Sequence, residues 1–547
     1  MIFLLFLSLY TFWVVWAALC LANNYARARR MGVPIVLLPI STMNILWIVI
    51  QHPAISLLER FFGPSNLTRY GSRDWHFRDR AQAHIKFGDV WALVTPGEIW
   101  LNVVDPDAIV DIFQRRTQFL RPVELYQMLN VFGMNVSTVN SIEWKRHRKI
   151  ISAPFNELAN NIAWAESLKQ AREMLRGWVQ EGSNGNIGLH RDTRTATLNV
   201  LAATGFNRSY NFHETRTSEQ HGESYRVALF TLMDNSLFMQ LVPKAILSSL
   251  FAPASWKQIG RAAEVFKEYM LNLLHQEKQL LSEGKAGASH LTSSLLRASE
   301  EYSHEKQTGN GKAKGLTINE LLGNIYLINL AGHDTTSNTL AYSIAHLTLC
   351  PDVQDWISEE VHAIFGDSPS ETWEYEATFK QLKRPLAVMY ETLRMFPPIM
   401  AFPKSTKGQQ QSLEVNGSAM MVPPNVYVVP SLLAVQSHTT HWGEDALVWK
   451  PSRWIDENNE LVLPRKGTYL PWSDGAQNCP GKKFSQVTFV AAIASLFQFH
   501  RVQALCADGE SKEHLEARLR KIINETAHGV LLRMKDADSL RLSWRRV

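Results

Sequence analysis

The stretch WSDGAQNCPG, residues 472–481, sets Cys479 between Gly475 and Gly481 and directly before Pro480. Glycines so close to a thiol suit a backbone that something else must approach closely. Pro480 fits the first position of a helix, and the apolar run FSQVTFVAAIASLFQF continues it, so Cys479 is expected at a helix N-terminus. Free N–H groups and the helix dipole favour a thiolate there. On these residues alone three roles stay open: a packed thiol, a nucleophile or a metal ligand. A cysteine hydrolase needs a positioned histidine, and 18 histidines leave that partner unspecified.

Upstream, AGHDTT at residues 331–336 lies inside a long apolar run. Thr317 and Glu320 form a capping box ahead of that run and Pro351 is expected to stop it after Cys350, which predicts a helix of about 32 residues. Gly332 costs helix stability, so a close neighbour is expected there. Asp334 and Thr335 set an acid beside a hydroxyl, and Thr335 can bond back to a carbonyl and loosen the helical ladder. A polar patch on a surface turn is the plain alternative. In YETLRMFPP, Glu391 and Arg394 share a helix face at i,i+3. In WKPSRW, Arg453 would need a carboxylate if buried, and Glu391 is the expected partner. In EWKRHRKIISAPF, Trp144 and Arg148 stand one turn apart on a face shared with His147, either a solvated basic face or a clamp for an anionic cofactor.

The remaining chain reads as mainly helical with a small β portion, an α+β organisation. Apolar periodicity predicts helices over 156–178, 259–281 and 484–499. An Asn416-Gly417 hairpin signal marks β structure between 413 and 437. The polar stretch 298–315 reads as a surface loop.

Together and in this order, these motifs resemble the cytochrome P450 family from about residue 60 to the C-terminus. NCPGKKFSQV is most similar to filamentous-fungal members, and the apolar start fits the membrane-anchored, microsomal type. The resemblance implies a cytochrome P450 fold with haem b between a long central helix and the Cys loop. Cys479 then takes the axial thiolate position on iron, the metal ligand, where thiolate donation favours O–O cleavage. Thr335 and Asp334 match the oxygen-activation motif. Glu391, Arg394 and Arg453 match a structural Glu-Arg-Arg lock. Trp144 and Arg148 match the haem-propionate clamp, and Gly475, Gly481, Trp472 and Lys404 belong to the cofactor's surroundings. Two positions depart from the family: Gln477 and Lys404 stand where arginine is common, so a bidentate charge pair is lost at each. Arg148, His147 and Lys404 are expected to compensate.

The implied activity is monooxygenation of an apolar small molecule with O2. No flavin or nicotinamide motif appears, so electrons are expected from a separate NADPH-cytochrome P450 reductase, with Lys482, Lys483 and Arg501 as a basic docking face. The segment 119–138, Phe402 and Ile328 are expected to line an apolar pocket, in keeping with fungal secondary metabolism. The alternatives are an isomerase or dehydratase of the same fold that does not use O2, and a low-turnover membrane protein that binds haem or lipid.

Composition sets the outer limits. The chain has 547 residues, 46% hydrophobic and 20% charged, with 17 Trp and 25 Phe, enough for a large aromatic core. Fifty-six basic against 51 acidic residues is a mixed surface and excludes a nucleic-acid footprint. Four cysteines at irregular spacing make no disulfide framework, which points to a reducing compartment. Residues 1–22 are uncharged and mostly apolar, a transmembrane anchor followed at once by Arg27, Arg29 and Arg30. The positive-inside rule then places a catalytic domain (61–547) in the cytosol, on a single pass through the endoplasmic reticulum membrane and in contact with its lipid. Residues 23–60 form a basic and apolar hinge, and whether 32–53 crosses as well is open at this point.

Overall fold

The computed structural model describes residues 2–181, 185–213, 225–247, 249, 251–283, 291–308, 315–528 and 531–547. The chain divides into two compact units.

The first unit comprises Met1–Pro122, Ile399–Val448 and Leu463–Cys479. It opens with the helix Ile2–Arg29, whose last turn carries Arg27 and Arg29. Its five-stranded sheet runs in the order β1 (Ile35–Leu37), β2 (Val90–Val94), β3 (Ile99–Val103), β7 (Tyr427–Pro430), β4 (Lys404–Ser405). β1 lies parallel to β2 and β3 parallel to β7, while β2–β3 and β4–β7 are antiparallel. β2 is buried at all five positions, as its unbroken apolar sequence VWALV requires. β5 (Gln411–Val415) and β6 (Ser418–Val422) form the expected hairpin, with Asn416 and Gly417 at φ +50° and +72°. That double left-handed turn is the geometry Asn-Gly accepts at least cost.

The second unit comprises Val123–Pro398, Trp449–Val462 and Pro480–Val547 and is mostly helical. Its central helix, Ile318–Leu347, is closed at its start by the reciprocal Thr317–Glu320 capping box and is buried over most of its length. The helix Leu189–Phe206, also buried throughout nearly all its length, packs along it. Elsewhere Glu157–Gln180 packs on Lys482–Phe497. Two antiparallel ribbons complete this unit: β8 (His500–Ala504) with β11 (Leu542–Arg546), and β9 (Thr526–His528) with β10 (Leu532–Met534).

Three expectations need correction. The central helix ends at Leu347, and Pro351 opens the next helix, Pro351–Phe365, at a position where its missing N–H costs nothing. The polar stretch 298–315 is helical through Thr308, as the end of Leu291–Thr308; residues 309–314 of that stretch lie outside the described residues. The helix after the Cys loop starts at Lys482, with Gly481 as its N-cap, so Cys479 precedes the helix rather than opening it. The reason is local: the N–H groups of Asn478 and Cys479 are committed backwards to Gly475 O and Trp472 O, at 3.2 and 2.9 Å.

Candidate active site

The Cys loop turns sharply twice, with Ser473 at φ +62° and Gly475 at +66°. A Cβ at Gly475 would come within 2.7 Å of Phe113 O, so the loop's close seat on the helix Pro106–Gln114 needs glycine twice over, for conformation and for space. Cys479 is exposed, and Trp472 is partly exposed although it is large and apolar. An exposed thiol and a partly exposed indole at the end of a tightly folded loop fit the face of a flat apolar cofactor.

In the same unit β4 carries Lys404, 4% exposed. Its Nζ donates to Gln477 Oε1 at 2.9 Å and lies 5.2 Å from the centre of the Phe113 ring. Burial, and after it the Arg121 guanidinium, lowers its pKa to about 7; no carboxylate offsets them among the described residues. A buried ammonium facing a neutral amide and another cation lacks its anion. A haem propionate has the charge and the acceptor oxygens to supply one, so these residues fit the group.

In the second unit the central helix is buried without a break from Glu320 to Ala345 except at Ala331, Gly332 and Thr335. These three open a window one turn long. Thr335 Oγ1 donates to Ala331 O at 2.8 Å, the back-bond expected of a helical threonine. Gly332 has its close neighbour: a Cβ there would meet both Leu201 methyls at 3.1 Å. Asp334 points elsewhere, into an ion pair with Arg194 Nε at 2.9 Å, and the Arg194 guanidinium lies 4.3 Å from the Phe230 ring centre. Adjacent positions on a helix diverge by about 100°, so the acid and the hydroxyl do not share a face. Arg194 gives no signal in the sequence that sets it apart from the neighbouring Arg191.

Glu391 and Arg394 are fully buried and paired through two bonds, Arg394 Nη2 to Oε1 at 2.8 Å and Nε to Oε2 at 2.9 Å. Arg453 Nε adds a third at 3.0 Å, joined by Lys450 N and Trp454 Nε1 at 2.8 and 3.0 Å. Five donors on one carboxylate balance its desolvation. The next residue, Thr392, bonds Ser343 of the central helix at 2.8 Å and accepts from Trp449 Nε1, so this junction bears directly on the helix that carries the window.

Trp144 is buried and Arg148 half-buried on the helix Ser141–Ser152. Arg146, overlooked in the sequence, ties this helix to Glu320. His147 does the same: its Nε2 lies 3.4 Å from Glu320 Oε1 and its Nδ1 2.9 Å from Asn324 Nδ2. Burial opposes the Glu320 charge, yet His147, Arg146 and the Thr317 N–H hold its carboxyl well below the usual range. His147 is therefore not available to compensate for Gln477, which corrects that expectation. Of the proposed docking cations, Lys483 lies 3.9 Å from the Phe379 ring centre and Arg501 pairs with Asp355 at 2.7 Å, while Lys482 is exposed.

The fold matches solved cytochrome P450 structures: the haem domain of one superposes with a TM-score of 0.68 at 16% identity, over 88% of this chain and 95% of that one. A family model described as Cytochrome P450 matches residues 64–524. The chain belongs to the cytochrome P450 family. A cytochrome P450 monooxygenase of Arthrobotrys oligospora is 27% identical over 525 residues, 89% of each chain. Another, from Penicillium roqueforti, is 28% identical over 88% of each. The phomenoic acid biosynthesis cluster cytochrome P450 monooxygenase of Leptosphaeria maculans is 25% identical over 95% of each. The protein is accordingly a cytochrome P450 monooxygenase that uses O2, a substrate and an electron donor, and its cofactor is haem with a cysteine thiolate on the iron.

Proposed function

We propose that the protein oxidises an apolar small molecule in fungal secondary metabolism, with Cys479 as the thiolate ligand and electrons from a separate NADPH-cytochrome P450 reductase. The observation that carries this reading is the window at Ala331, Gly332 and Thr335 in an otherwise buried helix, which leaves one hydroxyl open where the family activates oxygen. Bound haem supplies the O2 chemistry, in which one oxygen atom enters the substrate and the other leaves as water. The chain's residues do the rest. In the first unit Lys404 would neutralise a propionate and Trp472 would shield the sulfur; in the second, Trp144 and Arg148 would act as a propionate clamp. Gly475 and Gly481 shape the loop. Thr335 can turn its hydroxyl from Ala331 O toward a water or a bound ligand and hand on a proton, while Asp334, held by Arg194, reaches that path by breaking its ion pair. The Glu391–Arg394–Arg453 lock keeps the scaffold rigid.

An apolar substrate is supported by Ile328, buried on the central helix, and by the partly buried Phe402. Phe132 contributes less directly, because it packs on Phe266 and Tyr326 at 5.8 and 5.4 Å. Secondary metabolism is supported by the cluster named for the Leptosphaeria relative. Anchorage at the endoplasmic reticulum with a cytosolic catalytic domain is supported by the apolar N-terminal helix and the arginines that follow it.

The first test is the reduced, carbon monoxide-bound difference spectrum of membranes that contain the full chain. A strongly red-shifted Soret band, lost in Cys479→Ser, is expected, together with NADPH oxidation once reductase and substrate are added. A band that survives Cys479→Ser would assign the thiolate elsewhere. Turnover without NADPH or reductase would favour an isomerase or dehydratase.

A further inference from the structure

A second apolar helix, Ile45–Phe62, follows the N-terminal one and matches a membrane span in length and composition, with a mean hydropathy of 1.3. Strand pairing forbids that course. β1, ahead of this helix, pairs in parallel with β2 behind it, Ile35 opposite Ala92 through Leu37 opposite Val94. Two strands of one sheet lie on one side of a bilayer, so the chain between them crosses an even number of times. The other helices in that interval, Asn66–Tyr70, Trp75–Asp79 and Gln82–Phe87, have five or six residues. At 1.5 Å per residue they reach about 9 Å, against a hydrocarbon core of about 30 Å. A single crossing by Ile45–Phe62 is excluded.

Burial of the helix is one-sided. Trp47, Gln51 and Ile55, spaced i, i+4, i+8, are buried. Trp47 Nε1 donates to Gly71 O at 2.7 Å, and Gln51 Oε1 accepts from Arg73 N at 3.0 Å. Leu46, Val49, Ile50, Leu57 and Phe61 are each half exposed or more. An amphipathic helix with its polar anchor points turned inward and its apolar residues outward needs an apolar cover.

We propose that Ile45–Phe62 lies in the plane of the membrane surface, with Leu46, Val49, Ile50, Leu57 and Phe61 inserted at the boundary between headgroups and acyl chains. The proposal rests on reading the N-terminal helix as the membrane anchor. That helix is held to the same unit, where Asn24 Nδ2 donates to Thr95 O at 3.0 Å and Arg27 to Pro424 O. Its Trp13, Trp16 and Cys20 line a cleft of about 170 Å³ together with Pro39, Ile40 and Asn44, directly ahead of the second helix. The membrane entered by the first helix is therefore at hand where the second begins. Exposed Arg29, Arg30 and Arg60 supply cations for anionic headgroups.

The test uses the full-length holoenzyme in phosphatidylcholine–phosphatidylserine vesicles, with a fluorescent amino acid placed singly at Leu46, Pro53 or Phe61 and, as a reference, at Phe12. Lipids carry a nitroxide quencher either near the headgroup or near the chain end. Equal, preferential loss of emission to the shallow quencher at all three positions is expected, with preferential loss to the deep quencher at Phe12. Deep quenching at Pro53 with shallow quenching at Leu46 and Phe61 would mean a span and overturn the proposal. No quenching at the three positions, with Phe12 quenched, would mean that a protein surface covers the face, and would overturn it too. Shallow quenching at the three positions with Phe12 unquenched would support the interfacial helix and reject the anchor.

Discussion

Lys404 is a buried charge whose cost depends on pH. Its pKa is about 7 in the folded protein against 10.5 for a free lysine side chain. Below pH 7 the folded and unfolded chains both hold the proton, so the cost of burying an ammonium is borne in full. Between about 7 and 10.5 the unfolded chain binds a proton that the folded one has released, and stability rises with pH. Urea unfolding of the haem-free protein is expected to shift to higher midpoints from pH 6.5 to 9.5, and Lys404→Met to flatten that rise. A haem propionate held beside the ammonium would restore the charge and reverse the trend. Haem transfer to an acceptor apoprotein is then expected to speed up with pH in the natural chain and to be fast but pH-independent in Lys404→Met. Glu391 is the opposite case, a charge fully satisfied by its neighbours. Glu391→Gln leaves Arg394 buried with its compensation gone, and thermal unfolding should register a loss of about 3–5 kcal/mol, the cost of breaking a buried pair. Arg453→Ala is expected to cost less, because its side chain keeps 12% exposure and water can replace part of what it gives.

At the level of elements, glycines decide how closely pieces approach. Gly475→Ala adds a Cβ 2.7 Å from Phe113 O and forces a left-handed conformation on a residue that resists it by about 1–2 kcal/mol. The Cys loop must shift, so the reduced carbon monoxide spectrum of this variant is expected to lose part of its red-shifted band although Cys479 is intact. Gly332→Ala differs: its contacts are the movable methyls of Leu201, and alanine favours the helix by about 1 kcal/mol, so a near-neutral effect on the melting temperature is expected. What could be read from the sequence follows the same division by distance along the chain. The Thr317–Glu320 capping box, the Asn416-Gly417 turn and the Glu391–Arg394 pair are written within four residues and form as expected. Lys404–Gln477 and Arg194–Asp334 join residues remote in sequence, and no local pattern pairs them. Pro480, a good first helical residue, points to a helix start ahead of Lys482; the backward bonds of Asn478 and Cys479, visible only in the folded loop, outweigh it.

For the whole molecule, the two apolar helices near the N-terminus would, on the proposed reading, divide the work of membrane attachment. A single interfacial contact of a few side chains holds weakly and reversibly, and stable attachment takes two signals or a span. A chain without residues 1–20 keeps Leu21, which packs on the core of the first unit, and Asn24, Arg27, Ala28 and Met31, which bond to that unit or are buried in it. Such a chain is expected to float with vesicles that contain phosphatidylserine at low salt and to be released at high salt, because its exposed arginines are screened. Adding Leu46→Ser, Leu57→Ser and Phe61→Ser is expected to abolish flotation of the shortened chain, while the full chain with the same three changes still floats on its anchor. If the shortened chain stayed in solution at every salt concentration, the second helix would contribute no binding of its own. Its apolar face would then act only once the anchor had brought it to the surface.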